Sequence, residues 1–127
     1  MMKQRELIEQ ALKHTSVAEI RFNKNDIPKE LPAAIICMEA EDGKLGTSRR
    51  YTSTDISWVV FLIVNAQKVE DPDQDLWNLK EELRAQLIER MGRDIPKIEY
   101  YDGRMGGARL VRIARLELLR PGSGAGS

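Results

Sequence analysis

The sequence contains one cysteine, one histidine and no apolar run longer than seven residues. A single cysteine, Cys37, cannot form an intrachain disulfide, which favours a reducing compartment. The longest apolar run, Trp58 to Val64, is far shorter than the roughly 18 residues that a membrane-spanning helix needs. The first residues are charged and lack the apolar core of a signal peptide. These absences predict a cytoplasmic protein without a membrane anchor.

Residues suited to catalysis are equally sparse. His14 has no Cys, Asp or Glu at metal-ligand spacing, and we expect it on the surface at a helix end. Cys37 lies in an apolar stretch, where cysteine behaves as a small buried hydrophobe. The glycine-containing segment from Gly43 to Ser48 lacks the first glycine and the Gly-Lys-Ser order of a phosphate loop. The sequence predicts no enzyme, no cofactor and no metal site.

The chain has no excess of basic or of acidic residues, but the two kinds are unevenly distributed along the sequence. The chain has 20 basic and 20 acidic residues, so bulk attraction to nucleic acid or to an anionic membrane is not expected. Residues 66–89 carry three basic and seven acidic side chains, whereas residues 90–120 carry eight basic and four acidic ones. These segments are either ordinary solvated faces or complementary patches through which copies dock head to tail.

What the sequence does contain is the pattern of one α+β domain over residues 1–120, followed by a Gly/Ser-rich flexible tail at 121–127. Apolar spacing predicts an amino-terminal helix from Lys3 to His14. A second, amphipathic helix begins at Asp71-Pro72-Asp73 and ends at Gly92, which suits a left-handed cap. Its apolar stripe consists of Leu76, Leu79, Leu83, Leu87 and Met91. Whether the tail is native stays open.

Between the helices, we expect a short strand at 17–22 and a wide hairpin. The first hairpin strand begins after Pro32, and the turn-rich segment 41–46 connects it to a long strand from Arg50 to Val64. The first half of that strand, Tyr51 to Ser57, is polar, whereas the second half is apolar on both faces. The polar half is therefore predicted to extend beyond the buried sheet as an arm.

The carboxy-terminal segment predicts a further hairpin. Residues 97–101 alternate as a strand does, 102–107 are rich in glycine and predict a turn, and 108–119 fit a strand better than a helix. Both readings of 108–119 remain open. The expected fold is a mixed or antiparallel sheet of about four to five strands, with a long hairpin, packed by the two helices.

Arginines and tyrosines in this hairpin also suggest a small nucleic-acid-binding or adaptor module. Five arginines follow Tyr100 and Tyr101, and a basic sheet with aromatic side chains can stack single-stranded bases. The arginines are Arg104, Arg109, Arg112, Arg115 and Arg120. Interleaved leucine and isoleucine instead favour arginines at the rim of a packed strand.

The order of these elements resembles the tail-terminator and tail-completion (neck-joining) proteins of long-tailed bacteriophages. The resemblance lies in Leu31 to Ile36, Thr54 to Val64, the helix Asp75 to Met91 and the closing strand Leu110 to Leu119. It covers most of the chain and is a likeness of order and pattern. It implies a structural virion protein that forms an oligomeric ring, typically a hexamer, at the end of the tail tube and joins it to the head or neck. Its location would be the host cytoplasm during assembly and then the virion tail.

Contacts in such a ring would come from the arm and from the glycine-rich turn. The candidates for contacts with other subunits or with the tail tube are Lys44, Arg49, Arg50, Tyr51 and Arg104. Each of them also fits an ordinary solvated loop. Three classes thus remain: a phage tail or neck structural protein, a nucleic-acid-binding or adaptor module, and a small enzyme without a recognisable motif.

Overall fold

The computed structural model describes residues 3–23, 25–43, 54–67, 69–92 and 94–118. The elements, in chain order, are α1 (Lys3–Lys13), β1 (Glu19–Arg21), β2 (Ala33–Gly43), β3 (Thr54–Asn65), α2 (Pro72–Met91), β4 (Lys97–Met105) and β5 (Arg109–Glu117). The five strands form one sheet in the order β1-β2-β3-β5-β4. β1 runs parallel to β2, and the other neighbours are antiparallel. This single α+β domain confirms the predicted fold class.

The ends of α2 are fixed by the residues that its sequence predicts. The Asp71 side chain accepts a hydrogen bond from the backbone N–H of Gln74 at 3.1 Å, and Pro72 occupies the first turn. At the other end Gly92 has φ +67°, and its N–H donates to the carbonyl oxygen of Ile88 at 2.9 Å. Both caps use backbone groups that a helix end would otherwise leave without a partner.

Both helices pack on one face of the sheet. The core on this face joins the apolar sides of α1 and α2 to alternate residues of β2, β3 and β5. Its fully buried members include Ile8, Leu12, Ile36, Leu62, Leu76, Leu83 and Leu116. Burying a side chain of this size contributes about 1.5–3 kcal/mol relative to leaving it exposed. No helix in the described part of the chain is long and apolar enough to cross a membrane.

The opposite face of the sheet, here called the open face, carries a second and smaller apolar cluster. Its buried members are Ile35, Ile63 and Val111, and half-buried Phe61 and Ile113 pack against them. The segment between β1 and β2 also packs here, since Arg109 Nη2 donates to the carbonyl oxygen of buried Pro28 at 3.0 Å. β3 is therefore apolar on both faces, as predicted, although helices cover only one of them.

The carboxy-terminal hairpin differs from its predicted outline. The sequence of residues 108–119 allowed a strand or a helix. The structure shows a strand, β5, at residues 109–117. The predicted turn at 102–107 is wrong in its first part, because β4 continues to Met105 and the turn consists of residues 106–108. Gly103 lies inside β4, where a Cβ would stand 2.8 Å from Cδ1 of Ile113, so the end of that side chain would have to move to admit a larger residue.

Candidate functional site

The β2–β3 hairpin extends beyond the rest of the sheet. Pairing of β3 with β5 ends at Val59 and Glu117, apart from one further hydrogen bond from Leu118 N–H to the Trp58 carbonyl oxygen at 2.9 Å. Residues 40–43 of β2 continue to pair with residues 54–57 of β3 past that point. We call this two-stranded ribbon the arm. It confirms that the long strand outruns the sheet, and it corrects the predicted connection at 41–46, whose residues 41–43 are strand.

A change of register marks the base of the arm. Met38 pairs with Trp58, but the next pair is Ala40 with Ser57, so Glu39 is an extra residue on β2. Such a bulge bends the bulged strand and increases its twist. The arm therefore departs from the direction of the sheet at the point where the sheet ends.

Most of the predicted contact residues are beyond the part of the arm that the structure shows. Lys44, Arg49, Arg50 and Tyr51 lie outside the described residues. Arg104, the fifth candidate, is exposed near the end of β4. The structure thus shows that Arg104 lies on the edge strand β4, and the contact role of all five residues stays a prediction.

The sheet has two free edges, one on each side. β1 pairs only with residues 33–35 of β2, so residues 36–43 of β2 have no other described strand on that side. β4 pairs with β5 on one side and, within the described chain, has no strand on its other side. Among the described residues, each edge leaves one side of a strand without a strand neighbour, and such a side can pair with another chain. The two edges are the candidate functional site.

The arginines of β5 do not form one basic surface. Arg112 contacts Asp73 of α2 at 2.7 Å and Asp102 at 3.2 Å. The pKa of the Arg112 guanidinium is raised above its usual value, mainly by the hydrogen bond to Asp73. Arg112 lies on the helix-covered face, as Ala114 and Leu116 do, whereas residues at odd positions from it along β5 lie on the opposite face.

Arg115 and Arg109 lie on the open face instead, and both have partners. Arg115 contacts Glu99 at 3.2 Å and Glu117 at 3.1 Å. Arg109 donates to the backbone carbonyl of Pro28, as described above. Arg120 lies outside the described residues. Three of the arginines that suggested nucleic-acid binding are therefore held by groups within the chain.

Two cations on β4 remain without such partners. Lys97 and Arg104 are both exposed, and neither side chain has a carboxylate partner among the residues that the structure describes. The acids of the same strand, Glu99 and Asp102, are already paired with arginines of β5. The β4 edge therefore carries uncompensated positive charge, which counting residues in the sequence could not show.

A groove of about 480 Å³ crosses the open face next to the β4 edge. Its lining includes Ile35, Phe61, Ile63 and Ile113, together with Asp26 and Arg104. The groove could not be predicted from the sequence, because its walls come from four strands, β2, β3, β4 and β5, and from the segment before β2. Only knowledge of the order of the strands would have brought these residues together.

The residues considered for catalysis lie where their sequence context predicted, with one adjustment. His14 is exposed at the end of α1, where Nη2 of Arg90 lies 3.1 Å from its Nδ1 atom. Cys37 lies in β2 but is only half-buried, on the open face beside the apolar cluster. Within the described ranges no group of three or more His, Cys, Asp or Glu side chains is placed to hold a metal ion.

Comparison of the sequence with known protein families found no match, and comparison with curated proteins found no related protein.

Proposed function

We propose that this chain is a structural protein that assembles with copies of itself, and that it acts as a tail-terminator or tail-completion protein of a bacteriophage or prophage. In this role it forms a ring, a hexamer, at the end of the tail tube. The ring joins the tube to the head or neck. The protein assembles in the host cytoplasm and becomes part of the virion tail.

The observation that carries the proposal is the arm. Within the described chain its two strands pair only with each other, and a two-stranded ribbon on its own is marginally stable in water. A partner that pairs with or packs on the ribbon would stabilise it. An assembly of many copies supplies that partner at every position, and closure of a ring leaves no sheet edge exposed.

The charge distribution supports assembly over nucleic-acid binding. Arg112 and Arg115 each contact two carboxylates, so their guanidinium groups are not available to phosphate without breaking those ion pairs. The chain also has no net positive charge. A protein–protein role does not require those ion pairs to break.

The first test is the size of the purified protein. We expect size-exclusion chromatography with light scattering to show a concentration-dependent shift from monomer to a single closed oligomer. Negative-stain electron microscopy of the large species should show rings with a central opening. A monomer from micromolar to near-millimolar concentration, also when purified tail tubes are added, would contradict the proposal.

A binding assay with single-stranded DNA distinguishes the proposed assembly role from the alternative, a nucleic-acid-binding module. Retention on immobilised single-stranded DNA that falls steeply as salt increases would indicate a nucleic-acid-binding module. We expect the protein to pass through such a column at physiological salt, because its net charge is zero and Arg112 and Arg115 are already paired with carboxylates.

A further inference from the structure

We infer that copies of the chain join through an arginine-binding hollow on one copy, which receives the Arg104 side chain of the next. The hollow lies between α2 and β4 and is lined by Asp73, Trp77, Tyr100 and Arg112. We call it the Trp77 hollow. The inference rests on the proposed function, since it names a contact that builds the assembly, and its occupant is a second copy of this chain.

The Trp77 hollow exposes two large aromatic side chains. Trp77 comes one position after buried Leu76 on α2, which turns it about 100° away from the buried stripe, and it remains 50% exposed. Tyr100 on β4 remains 42% exposed. Tryptophan, tyrosine and arginine are the residues that most often dominate the binding energy of protein interfaces. Their occurrence together around one hollow of about 380 Å³ therefore indicates a protein contact.

The indole ring of Trp77 is placed to accept a cation. Nζ of Lys80 lies 4.6 Å from the ring centroid, so one ammonium group already uses the π system, and its charge is compensated by Glu81 at 2.5 Å. The exposed half of the Trp77 side chain offers ring surface to a second cation. A guanidinium suits this surface better than an ammonium, because it is planar and can stack on a ring while its N–H groups bind a carboxylate.

Carboxylates outnumber cations around the Trp77 hollow. Nε of Arg112 contacts Oδ1 of Asp73, and Nη1 contacts Oδ1 of Asp102, so the second oxygen of each carboxylate has no hydrogen-bond partner among the described residues. Asp71 lines the adjoining hollow on α2 with Asp73 and Trp77. Three carboxylates thus surround one guanidinium, and their excess outweighs the roughly half elementary charge at the start of α2. The hollow therefore favours a cation.

Arg104 has the properties that the Trp77 hollow requires of its ligand. It is exposed near the turn of the β4–β5 hairpin and has no carboxylate partner in the described part of the chain. Its Cα partner, Leu110, is also exposed. A guanidinium beside an apolar side chain thus meets carboxylates beside aromatic rings. Because these are two different surfaces of one chain, the contact can repeat from copy to copy until a ring closes.

Substitutions on either side of the contact test the inference. We expect Arg104→Gln and Trp77→Ala each to raise the protein concentration for half-assembly, measured by light scattering, at least about tenfold. Arg104→Lys should have a smaller effect than Arg104→Gln, because it keeps the charge and loses the planar group. Lys97→Gln is the matched control, since Lys97 is another exposed cation of β4, and it should leave assembly unchanged.

The double variant, with Arg104→Gln and Trp77→Ala in one chain, distinguishes a direct contact from two unrelated effects. If the two side chains meet across the interface, the second substitution removes nothing further, so the double variant should assemble about as well as the weaker single variant. Single effects that multiply in the double variant would overturn the direct contact.

A peptide titration tests the hollow in the absence of assembly. The Arg104→Gln protein is titrated with a blocked Gly-Arg-Gly tripeptide, and with the same peptide carrying neutral citrulline in place of arginine. The chain has two tryptophans, so NMR shows two indole N–H signals, which Trp77→Phe assigns. We expect a saturable shift of the Trp77 signal at millimolar arginine peptide, and none of buried Trp58. No shift at Trp77, or an equal shift with citrulline, would overturn arginine binding.

The melting temperature of each variant establishes that the fold is kept. Arg104 is exposed, so its replacement should leave the melting temperature nearly unchanged. Assembly that survives Arg104→Gln unchanged would overturn the contact and leave the proposed function standing. A wild-type protein that never assembles would overturn the proposed function, and with it the second copy as the occupant of the hollow.

Discussion

At the scale of single residues, the fold depends on a few positions where burial is complete. Leu83 has no exposed surface and lies in the middle of α2, against the core of the helix-covered face. The helical spacing of the leucines alone predicted that Leu83 is buried, because they share one face of α2 and that face packs on the sheet. Ile88 fits beside the same stripe in the sequence, yet it remains 46% exposed. One helix thus offers a buried position and a matched exposed one.

We predict that Leu83→Ala lowers the free energy of unfolding by about 2–5 kcal/mol, since it removes buried methyl groups and leaves a cavity. Ile88→Ala, on the exposed side, should cost less than about 1 kcal/mol. Leu83→Asp should abolish the cooperative transition, because it buries an unpaired carboxylate. Urea denaturation followed by circular dichroism measures all three. Equal losses in the two alanine variants would contradict the packing described here.

The ion pair between Asp94 and Arg84 predicts how the stability of the fold depends on pH. Nε and Nη2 of Arg84 each lie 2.7 Å from one of its carboxylate oxygens, and the backbone N–H of Ile95 donates to it at 2.7 Å. The hydrogen bond from Arg84, and then that from Ile95, lower the pKa of the Asp94 carboxyl in the folded protein. A lowered folded-state pKa contributes stability above the unfolded-state pKa, and this stability is lost as pH falls through the folded value.

Asp94→Asn should therefore lower the melting temperature slightly at pH 7, since the pair is about half exposed and solvent screens it. The difference from wild type should shrink as the pH falls from about 4, the ordinary pKa of an aspartate in the unfolded chain, through the lowered folded-state pKa of Asp94. Glu89→Gln is the control, because Glu89 is exposed and has no ion-pair partner in the described chain. A difference that is constant from pH 7 to pH 2 would exclude this linkage.

At the scale of elements, local signals predicted what local interactions determine. The caps of α2 and the strand character of β5 follow from residues within a few positions of each other. The end of β4 does not. Gly103 resembles a turn residue in the sequence, but it lies inside the strand because β4 continues to pair with β5 as far as Met105 and Arg109. A glycine held in a strand by distant pairing cannot be told apart from a turn glycine by its own context.

Substitutions at Gly92 test how much the left-handed cap at the end of α2 contributes to stability. Its positive φ is costly for a residue with a side chain, and no atom lies within 4 Å of the position that a Cβ would take. Gly92→Ala should therefore lower the free energy of unfolding by about 1–2 kcal/mol through backbone conformation alone. Gly92→Asn should cost clearly less, because asparagine tolerates the left-handed region. Denaturant midpoints for the two variants decide this, and equal costs would point to a steric clash instead.

At the scale of the whole molecule, the candidate site arises from the order of the strands. The arm could be predicted from the sequence, since the polar half and the apolar half of the long strand are adjacent in the chain. The two free edges could not be predicted, because residues 36–43 and 97–105 lie on the same sheet only through β3 and β5. The unpaired state of Lys97 and Arg104 likewise depends on which acids the arginines of β5 reach. Long-range pairing decides all of these features.

The arm itself provides the last prediction. Replacing residues 39–57 by Asn-Gly would join Met38 and Trp58, which are already paired, through a two-residue turn that suits antiparallel strands. The core on both faces of the sheet lies outside this segment apart from its flanking residues, so we expect a cooperative thermal transition within several degrees of wild type. The shortened protein should stay monomeric at concentrations where wild type forms its closed oligomer, because it lacks the arm. A shortened chain that still assembles would place the contact elsewhere on the domain. One that fails to fold would show that the ribbon stabilises the monomer, and that its length serves folding rather than assembly.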